Sequence, residues 1–448
     1  MAAELAKTDS PGPGGFDAHH PPSLDLIADC VHCGFCLSTC PTYALWNEEM
    51  DSPRGRIYLM KMALEGQVPL KSTFVNHMDN CLGCMACLTS CPSGVKYDRL
   101  IEATRAQIER NHPRTLKERL ARKLIFEIFP RPDRLARLLV PLRLYQRSGL
   151  QSLVRKCGVL KLFPAHLRAM ESLIPAAPKA TPELPEVLPA KGERRLRVGL
   201  LLGCVQRVFF PEVNAATARV LVSEGCEVII PKDQGCCGAL MVHAGQEQRA
   251  LERARQMIDT FERAQVDAIA INAAGCGSNM KDYAILLQED PKYADRARTF
   301  STKCFDICEI IGQLEPRAPR HPLALRVAYH DACHLQHAQN VQMQPRALLR
   351  RIPGLEVVEV AEAALCCGSA GIYNLVRPEP AKELGARKVR NLLALSPDVV
   401  AAGNPGCLLQ LRSGMKMAGK PMPVLHTVEL LDAAIQGIAA NSLRERQS

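Results

Sequence analysis

The sequence has few aromatic residues and no long uncharged apolar segment. Phe, Trp and Tyr make up 4% of its 448 residues. The stretch from Ala363 to Val376 is about the longest uncharged apolar one and counts 14 residues, fewer than the roughly 18 of a membrane-spanning helix. The first residues mix charged side chains with proline and glycine and lack the apolar core of a signal peptide. We therefore expect a cytoplasmic chain that does not cross a membrane.

Two glycine-rich nucleotide-binding motifs are also missing. The sequence has neither the G-x-G-x-x-G turn of a dinucleotide-binding fold nor a G-x-x-x-x-G-K-[ST] phosphate loop. These motifs therefore give this chain no site for a nucleotide cofactor. Cysteine, in contrast, occurs 20 times. Because disulfide-dense proteins are typically small and secreted, we interpret these cysteines as reduced thiolates that bind metal.

Eight of the cysteines form two runs of the same pattern. Residues 30–41 and 81–92 each read C-x2-C-x2-C-x3-C-P, which is typical of two-cluster ferredoxins in which the fourth cysteine ligates the other cluster. Two structural zinc sites are the alternative, although these normally use separated cysteine pairs. The pattern predicts two [4Fe-4S] clusters, one held by Cys30, Cys33, Cys36 and Cys91, and the other by Cys81, Cys84, Cys87 and Cys40.

The segment between the runs is long, and its apolar spacing from Gly55 to Glu65 is helical. We therefore predict a mostly helical ferredoxin module rather than a compact β-type one. The preceding motif, Asp51-Ser-Pro-Arg-Gly-Arg56, has two interpretations. Its arginines lie near a cluster or a partner, or they are solvated side chains at a capped helix start.

The second half of the sequence repeats itself at an offset of about 130 residues. Short β-type runs alternate there with helical patterns, which is typical of parallel α/β sheets. Each repeat contains a first cysteine, a Cys-Cys-Gly and a later strand that ends in a single cysteine. The two sets are Cys204, Cys236, Cys237 and Cys276, then Cys333, Cys366, Cys367 and Cys407. These are candidate ligands of an additional cluster; another metal, a redox thiol pair and metal-free packing remain open.

Further cysteines and histidines fall outside these patterns. Cys157 and Cys226 match neither motif, and Cys304 and Cys308, four residues apart, are expected to pack in the core. Three histidines flank Cys333. For them we expect capping and packing roles, with metal ligation or proton donation beside a quinone as the alternative: they are His330, His334 and His337.

Together these motifs make the chain resemble the iron-sulfur subunits of bacterial glycolate oxidase (glycolate dehydrogenase) over about residues 25–435. The matching stretches include Cys30-Val-His-Cys-Gly-Phe-Cys36, Asp51–Tyr58, Cys91-Pro-Ser-Gly94, Asn214–Val220, Leu335–Gln339 and Cys366–Gly371. The resemblance implies an electron relay from flavoprotein subunits, where glycolate becomes glyoxylate, toward membrane quinone, in peripheral association with the cytoplasmic face of the inner membrane. It implies no catalytic residue in this chain itself.

Similar architecture occurs in the iron-sulfur subunits of lactate and glycerol-3-phosphate dehydrogenases and in heterodisulfide reductase, which are the alternative functions. In the heterodisulfide reductase branch each repeat ends in C-x-x-C, and five sulfurs bind a non-cubane cluster. Here Asn279 and Gln410 stand where the last cysteine is expected. A five-thiolate site therefore cannot be built from these positions, which argues against a disulfide reductase.

Residues 99–169 are strongly basic, with 17 Lys or Arg against 5 Asp or Glu. Their helical pattern places a basic face beside an apolar one. Such a segment suits an anionic membrane surface or an acidic partner, and a solvated face is the third interpretation. Because aromatics are scattered and no nucleic-acid-binding module is recognised, nucleic acid is not an expected partner.

The predicted architecture is multidomain, with a helical two-cluster ferredoxin module followed by two duplicated α/β Cys-Cys-Gly domains. The predicted boundaries are a disordered N-terminus at 1–22, the ferredoxin domain at 23–130, a basic helical segment at 131–173, a proline-rich linker at 174–195, and the Cys-Cys-Gly domains at 196–320 and 321–440.

Overall fold

The computed structural model describes residues 15–163, 165–175 and 183–446. The chain divides into two compact units. The N-terminal unit contains the residues up to Arg122 together with Leu240–Gln248, and the C-terminal unit contains Lys123–Ala239 and the residues from Arg249 onward.

The described residues of the N-terminal unit form helices and no β-strand. These helices are α1 (Leu24–Ala28), α2 (Pro41–Trp46), α3 (Pro53–Leu64), α4 (Ser72–Asn80), α5 (Ala86–Thr89) and α6 (Tyr97–Asn111), with a 3-10 turn at Glu49–Asp51. The helix predicted between the cysteine runs is confirmed as α3. Its Met60 packs with Phe74, Met78 and Leu100 in the core of the unit.

Part of the N-terminal segment that we predicted to be disordered is ordered. Residues 1–14 lie outside the described residues. Phe16, however, is buried against Phe74, with 6.0 Å between ring centroids. The backbone N–H of Asp17 donates to the side chain of Gln107 at 2.8 Å. An aromatic side chain in an otherwise polar stretch supplies apolar surface to bury, so order begins before the predicted Ser23.

Residues 240–248 belong to the N-terminal unit although sequence of the C-terminal unit flanks them on both sides. Arg110 forms an ion pair with Glu247 at 2.9 Å. Arg122 donates to the carbonyl of Ala244 at 2.9 Å. The N-terminal unit is therefore discontinuous in sequence.

A series of helices follows in the basic part of the sequence, as its pattern predicts. They are α7 (Leu116–Ile128), α8 (Pro132–Arg137), α9 (Leu139–Arg147), α10 (Leu150–Lys156) and α11 (Ala165–Leu173), with a 3-10 turn at Val159–Leu162. Every side chain of α9 and α10 is at least partly exposed. The predicted proline-rich linker lies partly outside the described residues, at 176–182.

Two sheets, parallel except for the edge strand β1, follow in the C-terminal unit. The first sheet has the order β1-β3-β2-β4-β5, and the second has the order β7-β6-β8-β9. The strands are β1 (Val187–Leu188), β2 (Leu196–Leu200), β3 (Cys226–Ile229), β4 (Ala268–Ile271), β5 (Cys304–Asp306), β6 (Leu325–His330), β7 (Leu355–Glu359), β8 (Val399–Ala402) and β9 (Val424–His426).

The strand order confirms the predicted duplication. Apart from β1, which adds antiparallel to β3, the two sheets have the same order and all their neighbouring strands are parallel. β3 and β7 begin 129 residues apart, at Cys226 and Leu355, in agreement with the repeat offset. β4 and β8 contain apolar residues alone and are fully buried, as strands covered on both faces must be.

Helices connect and follow these strands. They are α12 (Gln206–Phe209), α13 (Pro211–Ser223), α14 (Ala239–His243), α15 (Glu247–Arg263), α16 (Ala274–Lys281), α17 (Tyr283–Leu286), α18 (Ala294–Thr302), α19 (Ile307–Gln313), α20 (Met343–Arg350), α21 (Tyr373–Val376), α22 (Pro378–Leu393), α23 (Pro405–Met417), α24 (Thr427–Gln436) and α25 (Ala440–Arg444), with a π-helical turn at His334–Ala338. Among the described residues, none of the helices is long and apolar enough to span a bilayer.

The two sheets share one hydrophobic core. Helix α13 of the first repeat packs against α24 of the second, and Arg219 on α13 forms an ion pair with Asp432 on α24 at 2.6 Å. His426 Nε2 lies 2.9 Å from the carbonyl oxygen of Asn272 and links the two repeats again. The repeats are therefore halves of one folded body, and each sheet holds the other in place.

Candidate metal centres

Both cysteine runs adopt the same loop backbone. The second residue after the first cysteine has a positive φ in each run, at His32 (53°) and Gly83 (61°). The residue after the second cysteine does too, at Gly34 (87°) and Met85 (61°). Non-glycine residues rarely adopt this conformation, so His32 and Met85 mark a backbone that the surrounding structure holds. The common spacing thus produces a common geometry.

The loops bring thiols of different runs to the same cavities. One cavity is lined by Cys30, Cys33, Cys36 and Cys91. The other is lined by Cys40, Cys81, Cys84 and Cys87. Cys87 borders both. Each cavity therefore groups three cysteines of one run with the fourth cysteine of the other run, which is the grouping that cross-ligation requires.

The chemistry of these cavities fits a cluster. Burial, together with neighbouring thiols, raises the pKa of Cys36 to about 11 and that of Cys87 well above its usual value. A set of crowded, buried sulfurs is unfavourable as free thiolates, and bound iron compensates their negative charge. Four soft sulfur donors around one cavity are also the ligand set of a [4Fe-4S] cluster.

A buried arginine lies beside the second cavity. Although burial alone opposes it, the guanidinium groups of Arg56 and Arg105 lower the pKa of the Cys81 thiol. Two donors also approach the Cys81 sulfur: the Tyr97 hydroxyl at 3.5 Å and the Gly83 N–H at 3.4 Å. Positive charge and hydrogen bonds therefore favour the thiolate form of Cys81.

Arg56 is held by a network of buried polar groups. Its guanidinium is 1% exposed and donates to the Asp51 carboxylate at 2.9 Å, to the His77 carbonyl at 2.7 Å and to the Thr42 hydroxyl at 3.1 Å. The Thr42 hydroxyl also lies 3.2 Å from the Cys40 sulfur. The network therefore joins two cysteine-bearing segments, because Thr42 follows Cys40 and His77 precedes Cys81.

The motif before α3 combines features of the two interpretations, because it caps the helix and also places its arginines beside the cavities. Ser52 caps the helix by accepting a hydrogen bond from the Gly55 N–H at 3.0 Å. Arg56 is nevertheless buried, whereas Arg54 is partly exposed. Arg56 borders the second cavity, and Arg54 borders the first, where it donates to the His32 carbonyl at 3.0 Å. Sequence spacing cannot distinguish these cases, because a capped helix start can face either solvent or a cluster.

The first Cys-Cys-Gly repeat brings its four cysteines together where β2, β3 and β4 end. The sulfurs of Cys204 and Cys236 lie 3.5 Å apart. Cys237 interacts with Cys236 and Cys276. We predicted Cys276 at the end of a strand, but it lies within α16, in the helix that follows β4. The adjacent strands are what bring the four residues together.

The second repeat has the same arrangement. The sulfurs of Cys333 and Cys366 are 4.0 Å apart, and those of Cys367 and Cys407 are 3.6 Å apart. Cys407 again lies on a helix, α23, and not at the end of β8 as predicted. The Asn404 amide lies 3.6 Å from the Cys407 sulfur and donates to it.

Amide side chains occupy the positions of the missing fifth cysteines. Asn279 donates to the carbonyl of Cys237 at 2.7 Å. Gln410 donates to the carbonyl of Ala381 at 3.0 Å and accepts from Asn374 at 3.1 Å. Each of these amides therefore forms hydrogen bonds with neighbouring residues of its own repeat. The structure therefore agrees with the sequence that neither repeat provides five thiolates.

The remaining cysteines and histidines have mixed surroundings. Cys304 and Cys308 are buried, as predicted, and so is Cys226, whereas Cys157 is exposed. His337 lies 3.2 Å from the carbonyl of Ala364, which confirms its packing role. His334 contacts the Ser278 hydroxyl at 3.1 Å. His330 is buried at the end of β6, which agrees with the predicted packing role, and its polar surroundings are described below.

Three family models match successive parts of the chain. The family model of a 4Fe-4S dicluster domain matches residues 27–95. A model described as the glycolate oxidase iron-sulfur subunit, linker region, matches residues 117–174. The cysteine-rich domain model matches twice, at residues 198–281 and 327–412. The ferredoxin module and the duplicated Cys-Cys-Gly domains predicted from the sequence are thus confirmed.

Two curated relatives match nearly the whole chain. The probable glycolate oxidase iron-sulfur subunit of Bacillus subtilis (strain 168) is 40% identical over 90% of this chain and 93% of its own length. The glycolate oxidase iron-sulfur subunit of Escherichia coli (strain K12) is 38% identical over 92% and 95%. Lactate utilization protein A of an Exiguobacterium species is 29% identical over 53% of this chain and 98% of its own length.

The Arg56 network yields a stability prediction. We expect Arg56→Gln to lower the free energy of unfolding by about 3 kcal/mol or more, because it leaves the Asp51 carboxylate buried without its guanidinium partner. Lys61→Gln on the same helix is the matched control. Its exposed pair with Glu65 is long, at 3.9 Å, and its loss should cost less than about 1 kcal/mol. Anaerobic denaturant unfolding measures both, and equal losses would contradict the prediction.

Proposed function

This chain belongs to the family of glycolate oxidase iron-sulfur subunits, and on that premise we propose that it relays electrons within a glycolate dehydrogenase complex. The electrons come from a flavin-bearing subunit that oxidises glycolate and pass toward membrane quinone. The observation that carries the proposal is the pair of cysteine-lined cavities. Iron-sulfur clusters bound there supply one-electron transfer, which suits a relay and not the removal of a hydride.

The proposed cluster ligands follow the grouping of the cavities. One set is Cys30, Cys33, Cys36 and Cys91; the other is Cys81, Cys84, Cys87 and Cys40. Both cavities are bordered by Cys87, Pro53 and Tyr97, so the two sets of thiols are adjacent. Arg56 and the Tyr97 hydroxyl favour the charged form of the second set, through contacts of the kind that set cluster potentials.

The two sets differ in their exposure. Cys33 is exposed, and the neighbouring Val31 and Phe35 are 68% and 66% exposed. Cys81 and Cys84 are buried. An electron-transfer partner therefore has access to the first set, with two apolar side chains available for docking. We propose that this loop is the side on which a partner subunit exchanges electrons.

The substrate is proposed from the extent of the family likeness. The glycolate oxidase subunits match this chain through the ferredoxin module, the linker region and both Cys-Cys-Gly repeats, while the lactate utilization protein matches about half of it. A lactate or glycerol-3-phosphate dehydrogenase subunit is therefore the weaker candidate. The amides at 279 and 410 weaken the heterodisulfide reductase alternative further, because that chemistry uses five sulfurs.

The linker helices support attachment to a membrane surface. On α9 and the residues after it, Val140, Leu144 and Leu162 are 69%, 70% and 85% exposed. Arg143 and Arg147 lie on the same helix as the first two. Exposed apolar side chains beside cations suit the interface of anionic lipids. We propose that this segment associates peripherally with the cytoplasmic face of the membrane, near the quinone pool.

Paired substitutions test the ligand assignment. We expect anaerobically purified protein with Cys40→Ala and Cys81→Ala together to keep about four of about eight irons, because both residues serve one cluster. The pair Cys30→Ala and Cys40→Ala should lose nearly all of its iron. If each run bound its own cluster, the two results would be exchanged. Iron and sulfide counting with EPR distinguishes the patterns.

The relay is tested by supplying glycolate. We expect no cluster reduction when glycolate is added to the purified chain alone, because no substrate-oxidising group is proposed in it. Reduction seen by EPR should follow once the co-purified flavoprotein is present. Lactate and glycerol 3-phosphate are the matched controls and should reduce the clusters much more slowly. Rapid reduction of the isolated chain by glycolate would contradict the relay.

Membrane association is tested with lipid vesicles. We expect the full chain to sediment with phosphatidylethanolamine–phosphatidylglycerol vesicles and not with phosphatidylcholine ones. Val140→Glu with Leu144→Glu should weaken binding about tenfold or more, because each apolar side chain contributes about 1.5 kcal/mol when buried. Met417→Glu, at a residue 56% exposed on α23, is the control. Unchanged binding of the double variant would exclude this surface.

A further inference from the structure

His330 is a buried imidazole whose polar neighbour is the thiol of Cys367. It ends β6 and is 2% exposed. Neither of its ring nitrogens makes a hydrogen bond with an N or O atom of the described residues. An unsatisfied buried polar group costs about 1–3 kcal/mol, and native proteins rarely keep one without a purpose. The ring is therefore placed for a partner that is not one of these atoms.

The groups beside this ring are thiols. One ring nitrogen of His330 and the sulfurs of Cys367 and Cys407 all lie within 4.8 Å of one another. The two sulfurs are 3.6 Å apart. Sulfur ligands about 2.3 Å from one tetrahedral ion lie about 3.8 Å from each other. The distance of 3.6 Å between the sulfurs of Cys367 and Cys407 therefore suits two ligands of a single ion. Two further thiols are adjacent to these groups: Cys366 interacts with Cys367, and the sulfur of Cys333 lies 4.0 Å from that of Cys366.

The first repeat lacks this imidazole. The offset of 129 residues that relates Cys204 to Cys333 relates Leu201 to His330. Leu201 is 1% exposed and packs in an apolar cluster. The four-cysteine sets of the two repeats are otherwise alike. The second repeat thus has an imidazole where the first has an aliphatic side chain.

A buried lysine is a second difference between the repeats. Lys388 is 1% exposed, and its ammonium group donates to the carbonyls of Glu362 and Ala363, just before Cys366. Its charge acts on the thiols of Cys366 and Cys367. At the offset of 130, Ile258 takes its place in the first repeat. Three thiolates, an imidazole and a divalent ion carry one net negative charge, which a nearby ammonium balances.

We propose that the second Cys-Cys-Gly repeat binds a divalent thiophilic metal ion, with His330 as a ligand beside Cys367 and Cys407 and with the fourth ligand from the Cys333–Cys366 pair. Three thiolates and one imidazole form a common structural zinc site. Ferrous iron shares the same ligand chemistry. The first repeat does not form this centre. The inference does not depend on the electron relay, because it concerns the ligands of a site outside the ferredoxin module.

Metal analysis of the whole chain tests the site. We expect anaerobically purified protein to hold about one zinc per chain in addition to about eight irons. His330→Leu, which copies the residue of the first repeat, should lose that zinc and keep the cluster iron. His334→Ala, in the same segment, is the matched control and should keep both. A ninth iron that His330→Leu removes would support the same site with iron as its ion.

X-ray absorption provides a readout that does not depend on a variant being folded. At the edge of the bound metal, the wild-type chain should show about three sulfur neighbours and one nitrogen neighbour. An all-sulfur shell would overturn the role of His330, as would a wild-type chain without the additional metal. Retention of the metal by His330→Leu would overturn it too. If that variant also loses cluster iron, Cys407→Ser replaces it, and a normal metal content in Cys407→Ser would equally refute the site.

Discussion

The N-terminal unit depends on one constraint, which is that sulfurs from two distant cysteine runs must reach the same cavities. Cys91 lines a cavity with the first run, and Cys40 lines one with the second. This exchange holds both ends of a helical segment at fixed positions. Helix α3 and the Arg56 network lie between those ends, so the buried ion pair with Asp51 belongs to the frame that positions the thiols. Each cavity therefore has cysteines of both runs in its lining.

The chemical pattern of the candidate sites could be read from the sequence to a large extent. Cysteine spacing predicted which eight cysteines line the two cavities, because that spacing reflects a local loop with positive φ angles at the same two places in both runs. The repeat offset predicted two similar sheets, because two segments with the same succession of strands and helices fold with the same strand order. Helix α3 was predicted because its apolar residues recur with the spacing of a helix, a pattern that lies within one short segment.

Long-range features could not be read in this way. Cys276 and Cys407 lie on helices and not at strand ends. Their place depends on the residue at which the strand ends and the next helix begins, and a sequence pattern locates that boundary only to within a few residues. The pairing of Phe16 with Phe74 and the burial of Arg56 depend on which surfaces meet in three dimensions. His330 was expected to cap or pack, because a lone histidine near a cysteine usually does. Only its place beside two cysteine sulfurs, seen in three dimensions, distinguishes it.

The discontinuous sequence of the N-terminal unit has a consequence for how the protein is made. Its final piece, Leu240–Gln248, follows β3 and the first Cys-Cys-Gly in the chain. During synthesis, both cysteine runs leave the ribosome well before this piece does, and the pairing of Arg110 with Glu247 must wait for it. Synthesis of the two cysteine runs and synthesis of the last piece of their unit are therefore separated in time. A nascent chain that ended at the linker helices would hold all eight ferredoxin cysteines in a body that still lacked part of its surface.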